Sequence, residues 1–210
     1  MLSQSEILYL NSGLDNKEIK GIKSKILTQK IGADVKNNLI KKGHLTKAEK
    51  LTPTGFAHMQ ALEKYKKSTK YITINQRIFG YDNESKAKWY YLNYDATKEE
   101  YGLGQMPTEI IADTIYNRLD YEETKEEVNS KIETEVKIAD LLKNYEIEIN
   151  PCIIKVENQG ELENYIMYYE VNKKIYHYNI AKRTNQQISS ETLKKELKKL
   201  FQTKEKINLL

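Results

Sequence analysis

The chain has 210 residues, 39% hydrophobic and 30% charged, with a formal net charge of +4 and a mean hydropathy of −0.72. That length supports one or two domains with a core that needs no metal or disulfide staples. No apolar run approaches the roughly 18 residues that cross a bilayer, and Met1-Leu2-Ser3-Gln4-Ser5-Glu6 lacks the basic n-region of a secretory signal, so a soluble cytoplasmic protein without membrane insertion is expected. A lone Cys152 excludes an intramolecular disulfide, and with only His44, His58 and His177 beside it a zinc site is not expected either.

Ser3-Gln4-Ser5-Glu6 has the form of a capping box. Leu2, Ile7, Leu8 and Leu10 then predict a short amphipathic helix ending near Asn11-Ser12-Gly13. Asp15 is placed to cap a second short helix carrying Ile19 and Ile22, and Ala33 to Lys42 reads as a third, with Val35, Leu39 and Ile40 on one side and Gly43 as its stop. His44 to Leu51 is a polar turn with apolar ends. Thr52-Pro53 then opens a helix, the threonine as cap and the proline in the first turn, with Phe56, Met59, Leu62 and Tyr65 running to about Lys67.

From Lys70 the texture becomes strand-like. Tyr71-Ile72-Thr73-Ile74, turn residues from Gly80 to Ser85, and Lys88-Trp89-Tyr90-Tyr91-Leu92 predict a first hairpin. Gly102 to Pro107 reads as a loop, and Thr108 to Leu119 as a helix with Ile110, Ile111, Ile115 and Leu119 at helical spacing. Tyr121 to Ser130 is a charge-dense linker. Ile132, Val136, Ala139 and Leu141 or Leu142 predict a further helix from about Ser130 to Asn144, before a strand at Cys152 to Val156.

If Asn172-Lys173 forms a two-residue turn, Met167 faces Tyr178 and Tyr169 faces Tyr176 across a second hairpin. Tyr165, Met167, Tyr169 and Val171 then share a face with Tyr176, Tyr178 and Ile180, and that face is expected to be buried. The opposite face, with Asn164, Ile166, Tyr168, Glu170, Ile175, His177 and Asn179, is more polar, which predicts a sheet buried on one side only. Ser189 or Ser190 caps a last helix whose stripe is Leu193, Leu197, Leu200 and Phe201. The fold expected is α+β, with a winged-helix-like helical segment over residues 1–68 and an α+β body over 69–210 in which antiparallel hairpins pack with helices as one compact unit.

Catalytic chemistry finds little support. Gly102-x-Gly104 is followed by Gln105, Met106 and Pro107, not by the lysine and hydroxyl of a phosphate-binding loop. The three histidines stand apart in sequence, Cys152 in a strand reads as a buried inert thiol, and Glu122-Glu123 and Glu126-Glu127 read as a solvated face. The expectation is no enzyme, no catalytic residue, no cofactor and no metal. Sixteen tyrosines and one tryptophan suit either protein interfaces or half-exposed sheet faces, and both readings stay open. The candidate partner-binding residues are Phe79, Tyr81, Trp89 and Tyr91 on the first hairpin. Alternation puts Trp89 and Tyr91 on one face and Tyr90 and Leu92 on the other; we take Tyr90 and Leu92 as inward.

Leu39-Ile40-Lys41-Lys42-Gly43-His44-Leu45, a polar turn, and Leu51-Thr52-Pro53-Thr54-Gly55-Phe56 entering a helix resemble a winged helix. Ten lysines between Lys17 and Lys50, against Glu18, Asp34 and Glu49, would favour phosphate contacts. Lys36, Asn37 and Lys41 are then the candidate nucleic-acid contacts of a DNA-binding regulator whose C-terminal half dimerises or senses a ligand. The 31 lysines against only Arg77, Arg118 and Arg183 weigh the other way, because arginine is the better reader of guanine edges.

The same segments, together with the opener Leu2-x-x-x-Glu6-Ile7, Lys70-Tyr71-Ile72-Thr73-Ile74 entering a hairpin, the hairpin at 165–180 and the closing helix at Leu193 to Phe201, resemble EspG-type accessory proteins of type VII secretion. The likeness is greatest to the short EsaE-like versions of Gram-positive secretion clusters. The resemblance implies a cytosolic, non-enzymatic chaperone with an antiparallel sheet and helices. It also implies a secreted substrate as partner, a toxin or a WXG-type protein, held soluble for export.

Overall fold

The computed structural model describes residues 1–15, 17–23, 29–81, 88–117, 119, 128, 130–144 and 151–201. In chain order its elements are β1 (Leu2–Ser3), α1 (Gln4–Ser12), α2 (Gln29–Lys41), α3 (Pro53–Lys67), β2 (Lys70–Ile74), β3 (Arg77–Tyr81), β4 (Lys88–Asp95), β5 (Glu100–Pro107), α4 (Thr108–Tyr116), α5 (Ile138–Asn144), β6 (Cys152–Asn158), β7 (Glu161–Val171), β8 (Lys174–Asn179), β9 (Thr184–Ile188) and α6 (Ser190–Phe201). The protein is α+β, with antiparallel strands and helices packed on them. It divides into two compact units, Met1–Tyr71 with Gln76–Met106, and Ile72–Asn75 with Pro107–Leu210. The β3–β4 hairpin thus lies in the first unit, whereas the sequence grouping sets it with the C-terminal body.

In the first unit the strands run in the order β1-β5-β4-β3, with Leu2 opposite Tyr101. The capping box of α1 is formed: the Glu6 N–H donates to Ser3 Oγ at 3.2 Å and the Ser3 N–H donates to Glu6 Oε2 at 2.6 Å. After α2 the chain turns at Gly43, whose φ is +73°, and both His44 and Leu45 donate back to the Leu39 carbonyl. A small loop over residues 45–51 follows, in which Leu45 bridges Leu51 and the Thr46 N–H donates to the Lys50 carbonyl at 2.8 Å. Thr52 Oγ1 then accepts from the Gly55 N–H at 3.1 Å. A Cβ added at Gly55 would lie 2.1 Å from the His44 carbonyl oxygen, so only glycine lets α3 start so close to the His44 backbone. The core joins Leu2, Ile7, Leu39, Leu62 and Tyr65 to Leu92 and Leu103 of the strands.

Three expectations fail in this unit. Asp15 caps no helix: residues 17–23 are irregular with a turn at Lys20 and Gly21, and the Asp15 carboxylate is held by Lys66 and by the Lys17 N–H. Ile19 and Ile22 are buried nonetheless. Strand Lys70–Ile74 does not pair directly with the 88–95 strand. It turns at Asn75, with φ of +52°, into β3, and it is β3 that pairs with β4. Gly102 to Pro107 is strand β5, not a loop. Gly104 makes room for Tyr91, since a Cβ there would lie 2.9 Å from the Tyr91 hydroxyl oxygen.

In the second unit the order is β2-β6-β7-β8-β9. The β7–β8 register is the expected one, with Met167 opposite Tyr178 and Tyr169 opposite Tyr176. Asn172 and Lys173 both adopt positive φ, 52° and 64°, the geometry of a two-residue turn matched to strand twist. Met167, Tyr169, Val171 and Tyr178 form a buried cluster with Leu141. The other face is buried as well, at Ile166, Tyr168 and Ile175, which overturns the one-sided sheet. The amphipathic α6 lies there, capped by Ser189 Oγ accepting from the Thr192 N–H at 3.1 Å and burying Leu193, Leu197 and Phe201. The helix expected from Ser130 is confined to α5. Residues 130–136 are irregular instead, with Glu133 bridging Asn185 and Glu135 at φ +62°, because backbone bonds to Asn185 and Arg183 outweigh a weak helical spacing. Helix α4 ends at Tyr116, short of Leu119.

Candidate interaction surface

The four aromatic candidates of the first hairpin share one face of their strands. The Phe79 and Tyr91 ring centroids are 6.3 Å apart, and those of Tyr81 and Trp89 are 5.1 Å apart. Tyr90 and Leu92, on the opposite face, pack into the helical core as expected. The outward assignment of the four does not hold. Trp89 is 0% exposed, and Phe79 and Tyr81 are buried, so these rings are core and cannot anchor a partner as they stand. Only Tyr91 is half-buried, with the Arg77 guanidinium 5.7 Å from its centroid. Alternation separated the faces correctly, but it carries no information on which face is covered.

The 45–51 loop offers a different surface. Of the three nucleic-acid candidates on α2, Lys36 is half-buried and its Nζ lies 2.6 Å from Glu49 Oε2 of that loop; that hydrogen bond raises its pKa and spends its charge locally. Asn37 and Lys41 are exposed. At the end of the loop Leu51 is 37% exposed, and Phe56, at the start of α3, is 55% exposed. Leu51 Cδ2 is 3.2 Å from where a Gly55 Cβ would stand, one residue from Phe56. Exposed Lys47 and Lys50 border this apolar pair. Beneath it, His44 and His58, which stand apart in sequence, meet edge to face at 4.9 Å. Burial first, then His58 and the N-terminus, push the His44 pKa down. Its Nδ1 has no hydrogen-bond partner among the described residues, which fits a neutral ring serving as packing.

A polar cluster in the second unit escaped the sequence reading. Tyr168 is 0% exposed and its hydroxyl donates to Glu196 Oε2 at 2.7 Å, while His177 Nδ1 lies 3.4 Å from the same oxygen. Cys152, Tyr168, His177 and Gln186 form one cross-strand row, and the cysteine is buried. Burial acts to raise the Glu196 pKa, but hydrogen bonds from His177 and Tyr168 and the His177 charge outweigh it and leave it lowered. Burial likewise pushes the Tyr168 phenol far up. The cluster therefore joins α6 to the sheet through a persistent carboxylate. The available signal was the i, i+3 step from Leu193 to Glu196, which places the acid beside the apolar stripe.

A comparable linkage closes the first unit. Lys42 Nζ binds Glu6 Oε2 at 2.8 Å and Glu100 Oε1 at 2.6 Å. Burial lowers the amine pKa, but the hydrogen bonds to Glu100 and Glu6 outweigh it and leave it raised. Among the described residues no group of three or more His, Cys, Asp or Glu side chains could hold a metal ion, and no helix is long and apolar enough to cross a membrane.

Fold and surface together define an α+β protein of two units, each joined by buried or half-buried polar links, with an apolar and basic patch at the 45–51 loop. The chain belongs to the family described as Domain of unknown function (DUF5081), whose profile matches residues 1–207. No curated protein matches it.

Proposed function

We propose that this protein is a non-enzymatic cytosolic adaptor that binds a secreted substrate of a type VII secretion system, a toxin or a WXG-type protein, and keeps it soluble and competent for export. The resemblance to EspG/EsaE-like accessory proteins motivates the reading. The observation that carries it is the segment from α2 to α3, which presents Leu51 and Phe56 to solvent while Lys36 is engaged by Glu49; we read its loop over residues 45–51 as the wing of a winged-helix-like part. Interfaces concentrate their energy in large side chains of this kind. Affinity purification of the tagged full chain from native cells tests the reading. The expected result is recovery of a secreted toxin or WXG-type protein, and its loss from Leu51→Ser/Phe56→Ser with the circular dichroism spectrum unchanged. Recovery of no secreted protein by the wild type removes the proposal, and full recovery by the double variant moves the surface away from the wing.

A winged-helix DNA-binding regulator with a dimerising or sensing C-terminal half is the second reading, favoured by Asn37 and Lys41 lying exposed on α2. With Lys36 neutralised by Glu49, duplex DNA should bind no tighter than the roughly 10⁻⁴ to 10⁻⁶ M of non-specific contacts at physiological salt. Nanomolar retention on one sequence, lost in Lys41→Glu, would put this reading first.

A further inference from the structure

We propose that the outer edge of β9 is a docking groove for a peptide, and that residues 130–136 occupy it as a built-in, displaceable segment. This inference is independent of the wing and of the secretion reading. Strand edges carry unpaired N–H and C=O groups that accept an added strand, and β9 ends the strand order of the second unit. Glu133 and Asn185 exchange both backbone hydrogen bonds, at 2.9 and 3.0 Å. The Val136 N–H donates to the Arg183 carbonyl at 3.0 Å, and Ser130 Oγ donates to the Gln187 carbonyl at 2.7 Å. The segment therefore runs antiparallel to β9, bridges it at Asn185, and bends at Glu135, where φ is +62°, before Val136 reaches Arg183 just ahead of the strand.

Two side-chain features give the groove a chemical preference. Asn185 is 2% exposed; the Tyr169 hydroxyl donates to its Oδ1 at 3.0 Å, which turns its Nδ2 outward to donate to Glu133 Oε2, also at 3.0 Å. Val136 packs against the Met167, Tyr169 and Tyr178 cluster, and its carbonyl accepts from the Tyr178 hydroxyl at 2.7 Å. The partner that fits is a segment with a carboxylate opposite Asn185 and, past a left-handed bend like that at Glu135 (φ +62°), a branched apolar residue three positions on, a Glu-x-x-Val pattern. What holds the built-in segment is slight. Residues 131–135 are exposed, Ile132 to 54%, so hardly any apolar burial beyond Val136 opposes its release, and such segments open at the low end of local stability.

The probe is a fluorescein-labelled peptide of residues 130–137, titrated into the full chain. A tethered segment competes at high effective concentration, so Glu133→Ala/Val136→Ala, which weakens the tethered copy, should bind the peptide at least about ten-fold more tightly than the wild type. Adding Asn185→Ala should abolish that gain, and a peptide with alanine at the glutamate and valine positions should not bind. Equal affinity of wild type and double variant, or binding of the alanine peptide, overturns the proposal. If the double variant loses its circular dichroism signature, hydrogen exchange on the wild type decides. The Val136 and Asn185 amides should exchange roughly 100-fold faster than those of β7, and exchange at the β7 rate overturns the proposal.

Discussion

The β3–β4 and β7–β8 hairpins both bury aromatic rings, yet their registers are encoded differently. In β7–β8 a two-residue turn, with Asn172 and Lys173 in the left-handed region, dictates every pair from Val171 and Lys174 outward. In β3–β4 the pairing of Gly80 with Tyr90 and Tyr81 with Trp89 coincides with a close ring contact between Tyr81 and Trp89. Local turn chemistry makes one register readable from four or five residues. The other depends on which side chains fit together. In both hairpins the sheet faces acquire their cover from elements distant in sequence, so polarity of a face did not predict exposure.

Substitutions can break this comparison. The largest effect is expected at Trp89, where alanine removes a fully buried indole and should cost about 4 kcal/mol of unfolding free energy, against almost nothing for the exposed Phe56→Ala. A urea midpoint for Trp89→Ala close to wild type would restore this ring to the surface. In the second hairpin Tyr169→Ala and Tyr168→Ala should each cost about 3 kcal/mol, because both faces are buried, and Glu170→Ala should be near neutral. A small effect at Tyr168 alone would reinstate the one-sided sheet.

Smaller effects sharpen the picture. Glu196 has a lowered folded pKa, so its contribution to stability is fully present above its ordinary value of 4.5 and is lost as pH falls through the lowered folded value. Glu196→Gln should cost about 1 kcal/mol at neutral pH and remove that part of the acid dependence, measured as denaturant midpoints from pH 7 to pH 3. An unchanged acid profile would show that other carboxylates carry it. Lys173→Gly, which relieves a non-glycine residue at positive φ, should raise stability by about 0.5 kcal/mol. A loss of stability there would indicate that the Lys173 side chain matters more than its backbone.

The sequence by itself determined the features that depend on a few neighbouring residues. The capping box at Ser3 and Glu6, the Thr52-Pro53 helix start, the stop at Gly43, the two-residue turn at Asn172 and the stripe of α6 are all legible, because their hydrogen bonds and dihedral preferences close within one or two turns of chain. Tertiary structure alone decided the rest. Residues 130–136 left the helix because Asn185 and Arg183 offered backbone hydrogen bonds that their own spacing could not match, and Gly102 to Pro107 became a strand because β5 lies beside β4 in the sheet. Trp89 became core, and Glu196 found Tyr168 and His177, only in the assembled fold. Alternation and periodicity assign side chains to faces; whether water or another element lies against a face is settled only when distant segments meet, since burial is a property of the assembled surface and not of the residues that line it.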